Sequence, residues 1–419
     1  MLKFFIISVL LILQNFSAFA QFSNIEWLRK NTHEFTDLSF IDEAVSKKQF
    51  VFLGESSHGA KEFYSLKARL TEYLVRKHGF EVVSFESPFT ASYFYNEFKE
   101  SRSDTLSHVE HILFPIFCNN TTKDLIIRLD SMKIPIVGFD YQLGTKFQAR
   151  MVSDFVFSKL SKLDTTVAND FLETNKLFTK DNLVRFSTDE VWYNYPCIAI
   201  KDKLTCEYWL KKYNGFTNFL LTHYSQLLTV CKNDKLAAFA TINAVQSTQA
   251  DLLTTIYNDN AGIRDSLMAK NIEMITRILY PNKKVIFWGH NEHISKNYNR
   301  VNAEFSKDQK TIVGYLGKAF LAKSLVIGLY GIDGSTNNNK RAPVGITAGS
   351  IDSTFEHKIM DKVEQQVYIN LKNYPFTGSN NNIYICNWGI YTESLNPRDK
   401  YDYLIFIKSL TPSTYLPNQ

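Results

Sequence analysis

The chain predicts an α/β fold: a mostly parallel sheet flanked by helices on both faces, with a large helical insertion. Three observations predict it. Short apolar runs recur at Phe50–Leu53, Glu81–Phe85, Ile134–Phe139, Lys284–Trp288, Ser324–Tyr330 and Tyr403–Ile407, and runs of this length and composition read as buried strands. Helical patterns separate the first three, an alternation that favours parallel strands covered on both faces. Between Lys146 and Tyr280 the strand pattern fades into helix spacing, as in Leu220, Tyr224, Leu227, Leu228 and Cys231, so residues 146–280 are expected as the insertion.

Taken from the N-terminus, Met1–Ala20 reads as a secretory signal peptide. Lys3 forms its basic end, Phe4–Leu13 its apolar centre and Ala18-Phe19-Ala20 its cleavage site. The apolar centre is short of the roughly 20 residues that a membrane-spanning helix needs. Export to the periplasm or medium is therefore expected, with no stable membrane insertion after cleavage. Residues 21–419 are expected to form one α/β domain around the insertion. Losing Lys3 would lower the formal charge from +5 to +4, and basic and acidic residues are interspersed without a Lys/Arg block. That distribution speaks against nucleic acid as a partner. The five cysteines, Cys118, Cys197, Cys206, Cys231 and Cys386, show no metal-binding spacing and read mostly as small core residues. The clusters Gly334–Asn339 and Gly378–Asn382 read as loops.

Chemistry gathers where the apolar runs end. Phe50–Leu53 leads into Gly54-Glu55-Ser56-Ser57-His58-Gly59, and the run ending at Trp288 leads into Gly289-His290-Asn291-Glu292-His293. In open α/β sheets the segment after a strand is where ligands sit, so both clusters are expected to serve one site. A carboxylate beside a histidine fixes its tautomer and raises its basicity, which suits Glu55 and His58 to proton transfer. The alternative is a helix cap at Glu55 and a surface His58. Glu86 ends an apolar run and needs either a Lys or Arg partner or a role in a reaction centre. His290 and His293 suit a hydrogen-bonded pair, one buried and one exposed, or a metal. Asp140 and Gln142 follow the third run as supporting groups, and Arg264 with Asp265 reads as a structural ion pair.

Lys61–His78 predicts a helix with an apolar stripe of Phe63, Leu66, Leu70 and Leu74. At about 100° per residue Lys67 falls inside that stripe. It should reach a partner or line a cleft, the alternative being that it extends its ammonium to solvent. Either way an apolar replacement is expected to leave folding little changed.

These segments resemble the erythromycin esterase family. The resemblance is carried by Gly54-Glu55-x-x-His58-Gly59, the helix with Glu62, Gly79-Phe80, Phe85-Glu86, Val137-Gly138-Phe139-Asp140, Ile263-Arg264-Asp265 with Met268-Ala269 and Asn271, His290-Asn291-x-His293, and Tyr401–Ile405. It spans roughly Phe50 to Ile407. It implies hydrolysis of an ester or lactone without a cofactor, with His58 as general base oriented by Glu55. It places Glu86 in the cleft, and gives His290, His293 and Asn291 substrate or transition-state contacts. Asp140 is expected beside them. Lys67, where the family has arginine, is expected with His290 at the developing oxyanion. Glu292 and Val313-Gly314 also depart from the family pattern. A metal-dependent hydrolase using Glu55, His58, Glu86, His290 and His293 as ligands is the competing enzyme class, and an exported binding protein that keeps the cleft is the third. There is no Gly-x-Ser-x-Gly elbow, phosphate loop or dinucleotide fingerprint.

Overall fold

The computed structural model describes residues 23–101, 113–143, 146–181, 203–257, 260–297, 310–376 and 381–416. The expected signal peptide, Cys197, and residues 182–202 of the expected insertion lie outside the described residues. The fold is α/β, with a mixed, mostly parallel sheet flanked by helices. The chain divides into two compact units: Met1–Gly79 with Trp288–Thr414, and Phe80–Phe287 with Tyr415–Gln419.

In the first unit the strand Phe50–Glu55 is buried along its whole length and runs parallel to Ser324–Asn337, with Phe50 opposite Ser324 and Leu53 opposite Ile327. The other edge of Ser324–Asn337 pairs in parallel with Tyr403–Leu410. Gln366–Asn370 and then Thr32–Glu34 add antiparallel strands beyond it. A separate antiparallel hairpin joins Ile383–Asn387 to Tyr391–Leu395. The helix Lys61–His78 has the expected bounds. It buries Phe63, Leu66, Leu70 and Leu74, together with Lys67 and Thr71. Gly79 closes it at φ 65°, a left-handed cap whose N–H donates to Leu74 O.

In the second unit Val82–Pro88 runs parallel to Ile136–Asp140, with Phe85 opposite Gly138 and, after a register shift, Pro88 opposite Asp140. The described part of residues 146–280 is helical: Lys146–Leu163, Thr165–Asp181, Lys203–Thr222, Tyr224–Val230, Lys235–Tyr257 and Asn260–Met274, then a π-helical turn at Ile275–Leu279. Lys235–Tyr257 buries Ala237, Ala238, Ala240, Thr241, Ile242, Ala244 and Val245, almost all round, as a helix enclosed by others must. Cys118, Cys206, Cys231 and Cys386 are buried. Among the described residues no helix is long and apolar enough to cross a membrane.

Three expectations need correction. Strands run past the apolar runs that mark them: Glu55 and His290 lie within strands rather than in the turns that follow, and the strand expected to close at Glu86 continues to Pro88. Gly334–Asn337, expected as loop, continues the long strand and pairs with Pro343–Gly345. Gln366–Asn370 and the hairpin strands were not expected at all.

One glycine is required by close approach. A Cβ on Gly59 would lie 2.1 Å from Asn337 O, and Gly59 O accepts from the N–H of Asn337 at 3.3 Å and of Ser413 at 2.9 Å. Gly215, exposed on the helix Lys203–Thr222, has nothing within 4 Å of such a carbon. In denaturant melts, Gly59→Ala is expected to lose about 2–3 kcal/mol by overpacking, whereas Gly215→Ala should gain about 0.5–1 kcal/mol from helix entropy.

Candidate active site

Glu55 is the last residue of its strand and is buried. Its carboxylate is shared between two cations or potential cations: Oε1 lies 3.0 Å from His58 Nδ1, and Oε2 accepts directly from Lys67 Nζ. Bonding to a carboxylate requires Nδ1 to carry a hydrogen, so Nε2 is the basic nitrogen of His58. The imidazole is held from its backbone too, since Tyr64 Oη donates to His58 O. Ser57 Oγ lies 2.9 Å from Thr336 Oγ1, and Ser56 N–H donates to Leu329 O at 2.9 Å. Glu55 is not the helix cap; that position is Ala60.

Lys67 does not reach solvent. It is 0% exposed, its ammonium bonded to Glu55 and 4.7 Å from the centre of the Trp288 ring. Trp288 is fixed in turn by donating from Nε1 to Thr71 Oγ1 at 2.8 Å, one helical turn beyond Lys67. The carboxylate that Lys67 bonds is the one that bonds His58.

The two histidine segments meet, as expected for a shared site. The rings of His58 and His290 are 4.8 Å apart, and His293 is half-buried, 6.4 Å from His290. His290 is buried at the end of the strand Val285–His290, and its Nδ1 accepts from Glu292 N–H at 3.2 Å. A neutral imidazole that accepts at Nδ1 carries its proton on Nε2. Burial first, then the neighbouring His58, pushes its pKa down to about 4, so at neutral pH His290 is an uncharged N–H donor. Asn291, expected to touch substrate, is a buried strut: its Nδ2 donates to Leu329 O at 3.0 Å and its Oδ1 fills the space a Cβ on Gly54 would need.

Two aromatic and polar partners were missed in the sequence. Trp388, at the tip of the hairpin, stacks on His290 at 4.6 Å and stands edge-on to His58 at 5.3 Å. Asn387 Nδ2 donates to Glu292 Oε1 at 2.6 Å. Nothing local in the sequence marks them.

The second unit has its own charged cluster. Arg264 Nη2 donates to Glu86 Oε1 at 2.7 Å and to Asp140 Oδ2 at 2.5 Å, with Nε reaching Asp140 at 3.1 Å. Glu86 and Asp140 are both buried near the ends of neighbouring parallel strands. Asp140 Oδ1 also accepts from Gln142 N–H at 3.1 Å. Two strand-end acids in adjacent parallel strands imply a cation, and that was the available signal for Arg264. Among the described residues no group of three or more His, Cys, Asp or Glu has the geometry to hold a metal ion.

The family model for erythromycin esterase matches residues 75–410. The match begins past Glu55, His58 and Lys67 and includes Glu86, Asp140, His290 and His293. A Bacillus subtilis (strain 168) protein named "Putative hydrolase YbfO" is 26% identical over 426 residues, covering 91% of this chain and 88% of its own length. A mutant of the erythromycin esterase EreC, in its open conformation, superposes with a TM-score of 0.71 at 15% identity, over 90% of this chain and 94% of that one. A Bacillus cereus protein of solved structure superposes with a TM-score of 0.71 at 17% identity, over 95% and 99%.

Two outcomes follow from the buried charges. Lys67→Met leaves Glu55 buried without its cation, and is expected to cost about 3–5 kcal/mol, contrary to the near-neutral effect the apolar stripe implies. Adding Glu55→Gln should recover much of that loss in urea melts. For His290 the folded pKa lies below the unfolded value of 6.5. Its contribution to stability is thus full above pH 6.5 and is lost as pH falls through 4, by about 3 kcal/mol in all. Melts at pH 7 and pH 4 should show that loss in the wild type and lack it in His290→Asn.

Proposed function

Because the chain belongs to the erythromycin esterase family, we propose that it is an exported hydrolase that cleaves an ester or lactone with water activated by His58. The observation that carries this reading is the buried chain Lys67–Glu55–His58, which leaves the imidazole with a fixed tautomer and a basic Nε2. A water beside Nε2 gives up its proton as its oxygen adds to the substrate carbonyl carbon. The carbonyl electrons move onto oxygen, and the neutral Nε2–H of His290 donates to that oxyanion, where transition-state charge develops. Collapse breaks the bond to the leaving oxygen, which takes the proton back from His58. The products are a carboxylic acid and an alcohol, or one hydroxy acid from a lactone.

Glu55 stabilises the imidazolium between the two proton transfers, and Lys67 holds the other oxygen of its carboxylate. His293, half-buried 6.4 Å from His290, is assigned the contact with bound substrate in this reading. Side chains carry each proton transfer, and the scheme calls for no cofactor. Export rests on the sequence of Met1–Ala20 alone.

Purified protein assayed against a panel of esters and lactones, macrolides included, tests the reading. Hydrolysis is expected to persist in the presence of chelator, and His58→Ala is expected to fold normally and lose about 10²–10⁴-fold in kcat/KM. Unchanged hydrolysis by folded His58→Ala would remove His58 as the base. Loss of activity on chelation, restored by one metal, would move the reading to a metallohydrolase.

A further inference from the structure

Trp388 touches both imidazoles of the site yet takes no part in the chemistry proposed above. Its indole lies nearly parallel to the His290 ring, 26° between planes at 4.6 Å, and nearly perpendicular to the His58 ring, 84° at 5.3 Å. The backbone that delivers it is disfavoured for such a side chain. Trp388 has φ 54° and Gly389 φ 70°, within a turn closed by Ile390 N–H donating to Asn387 O at 3.3 Å. Two successive left-handed residues favour Asn followed by Gly, and a bulky residue at positive φ is an outlier that its surroundings must impose.

Those surroundings are identifiable. Trp388 N–H donates to Ser56 O at 2.7 Å, and Ser56 lies between Glu55 and His58. Asn387 binds the Glu292 carboxylate, and Glu292 lies between His290 and His293. On the far side Thr347 N–H donates to Gly389 O at 2.9 Å, and a Cβ on Gly389 would lie 2.2 Å from Ile346 Cδ1. The hairpin tip is thus tied to both histidine segments and backed by a third. A small residue at position 388 would satisfy the turn with less strain, so the anchoring serves the indole.

We infer that Trp388 is a positioning residue: its indole sets the planes of His58 and His290 relative to one another and keeps water out of the space beside His290. The ionisable groups facing His290 are His58, Glu292, Glu55 and His293, so water admitted there would change how His290 binds protons. The effect on rate rests on the hydrolase reading; the effect on the imidazoles does not.

The test uses the full chain with Trp388→Asn and Trp388→Phe. Asparagine suits the left-handed position, so Trp388→Asn removes the indole while keeping the turn. The readouts are NMR titrations of the two imidazoles, assigned with His58→Asn and His290→Asn, and kcat and KM on an ester that the wild type hydrolyses. In Trp388→Asn the titration of His290 is expected to rise from about 4 by about one unit or more toward its ordinary value. On the hydrolase reading kcat should fall about 10–100-fold, the scale of small misplacements of reacting groups, with KM little changed. Trp388→Phe, which keeps a ring against His290, should restore most of both. Wild-type titrations of both imidazoles in folded Trp388→Asn would overturn the inference. If Trp388→Asn does not fold, Trp388→Leu takes its place, and failure of both to fold would mark the indole as structural and overturn it as well. A wild type that hydrolyses nothing in the panel counts against the hydrolase reading alone, because the titrations need no substrate.

Discussion

The first unit depends on one buried ion pair. Phe50–Glu55 is enclosed along its whole length and ends in a carboxylate that water cannot solvate. A carboxylate in that position is tenable only with a partner of opposite charge and good geometry. Lys67 supplies it from inside the apolar stripe of Lys61–His78, and Trp288 and Thr71 fix the ammonium and the ring beneath it. Because Lys67 takes one carboxylate oxygen, the other is committed to His58 Nδ1. Helix register, strand end and imidazole tautomer are therefore set together, and a change at any of them reaches the other two.

The site separates two histidines that composition alone would treat alike. Their rings lie 4.8 Å apart, but one gives its Nδ1 hydrogen to a carboxylate and the other accepts at Nδ1 from a backbone amide. The first therefore has its lone pair at Nε2 and the second its hydrogen there. Burial keeps the second neutral, which prevents two adjacent imidazoles from competing for charge. Pairs of titratable groups whose surroundings drive them apart are the usual mark of assigned acid and base roles.

Local patterns in the sequence were readable where hydrophobicity and geometry coincide. The bounds of Lys61–His78, the position of Lys67 within its stripe and the start of each parallel strand follow from periodicity. Strand ends did not follow, because backbone pairing continues through Glu55, Glu86 and His290 after the side chains stop being apolar. Gln366–Asn370 was missed because alternate residues are only half-buried and the apolar run is broken. Site partners were missed wherever the contact is distant in sequence. Arg264 meets Glu86 across 178 positions. Trp388 lies in a turn whose Trp-Gly pair hides its conformation, since Asn-Gly would have announced it.

The two units meet the same electrostatic problem with different cations, and the difference is physical. Glu55 is a single carboxylate inside an enclosed pocket, and a compact ammonium can bond one of its oxygens while lying against an indole face. Glu86 and Asp140 are two carboxylates on neighbouring strands, both requiring neutralisation. One guanidinium spans them because its donors form a planar fork, with Nη2 shared and Nε adding a second bond to Asp140. Lysine at 264 would present one point charge to two acids whose bonds now use two nitrogens. Arginine at 67 would bring a larger, planar group into a pocket shaped around an ammonium and the Trp288 ring. The choice of Lys67 over arginine is thus tied to the presence of Trp288 beneath it, and the two residues are best understood as one fitting that sets where Glu55, and through it His58, can stand.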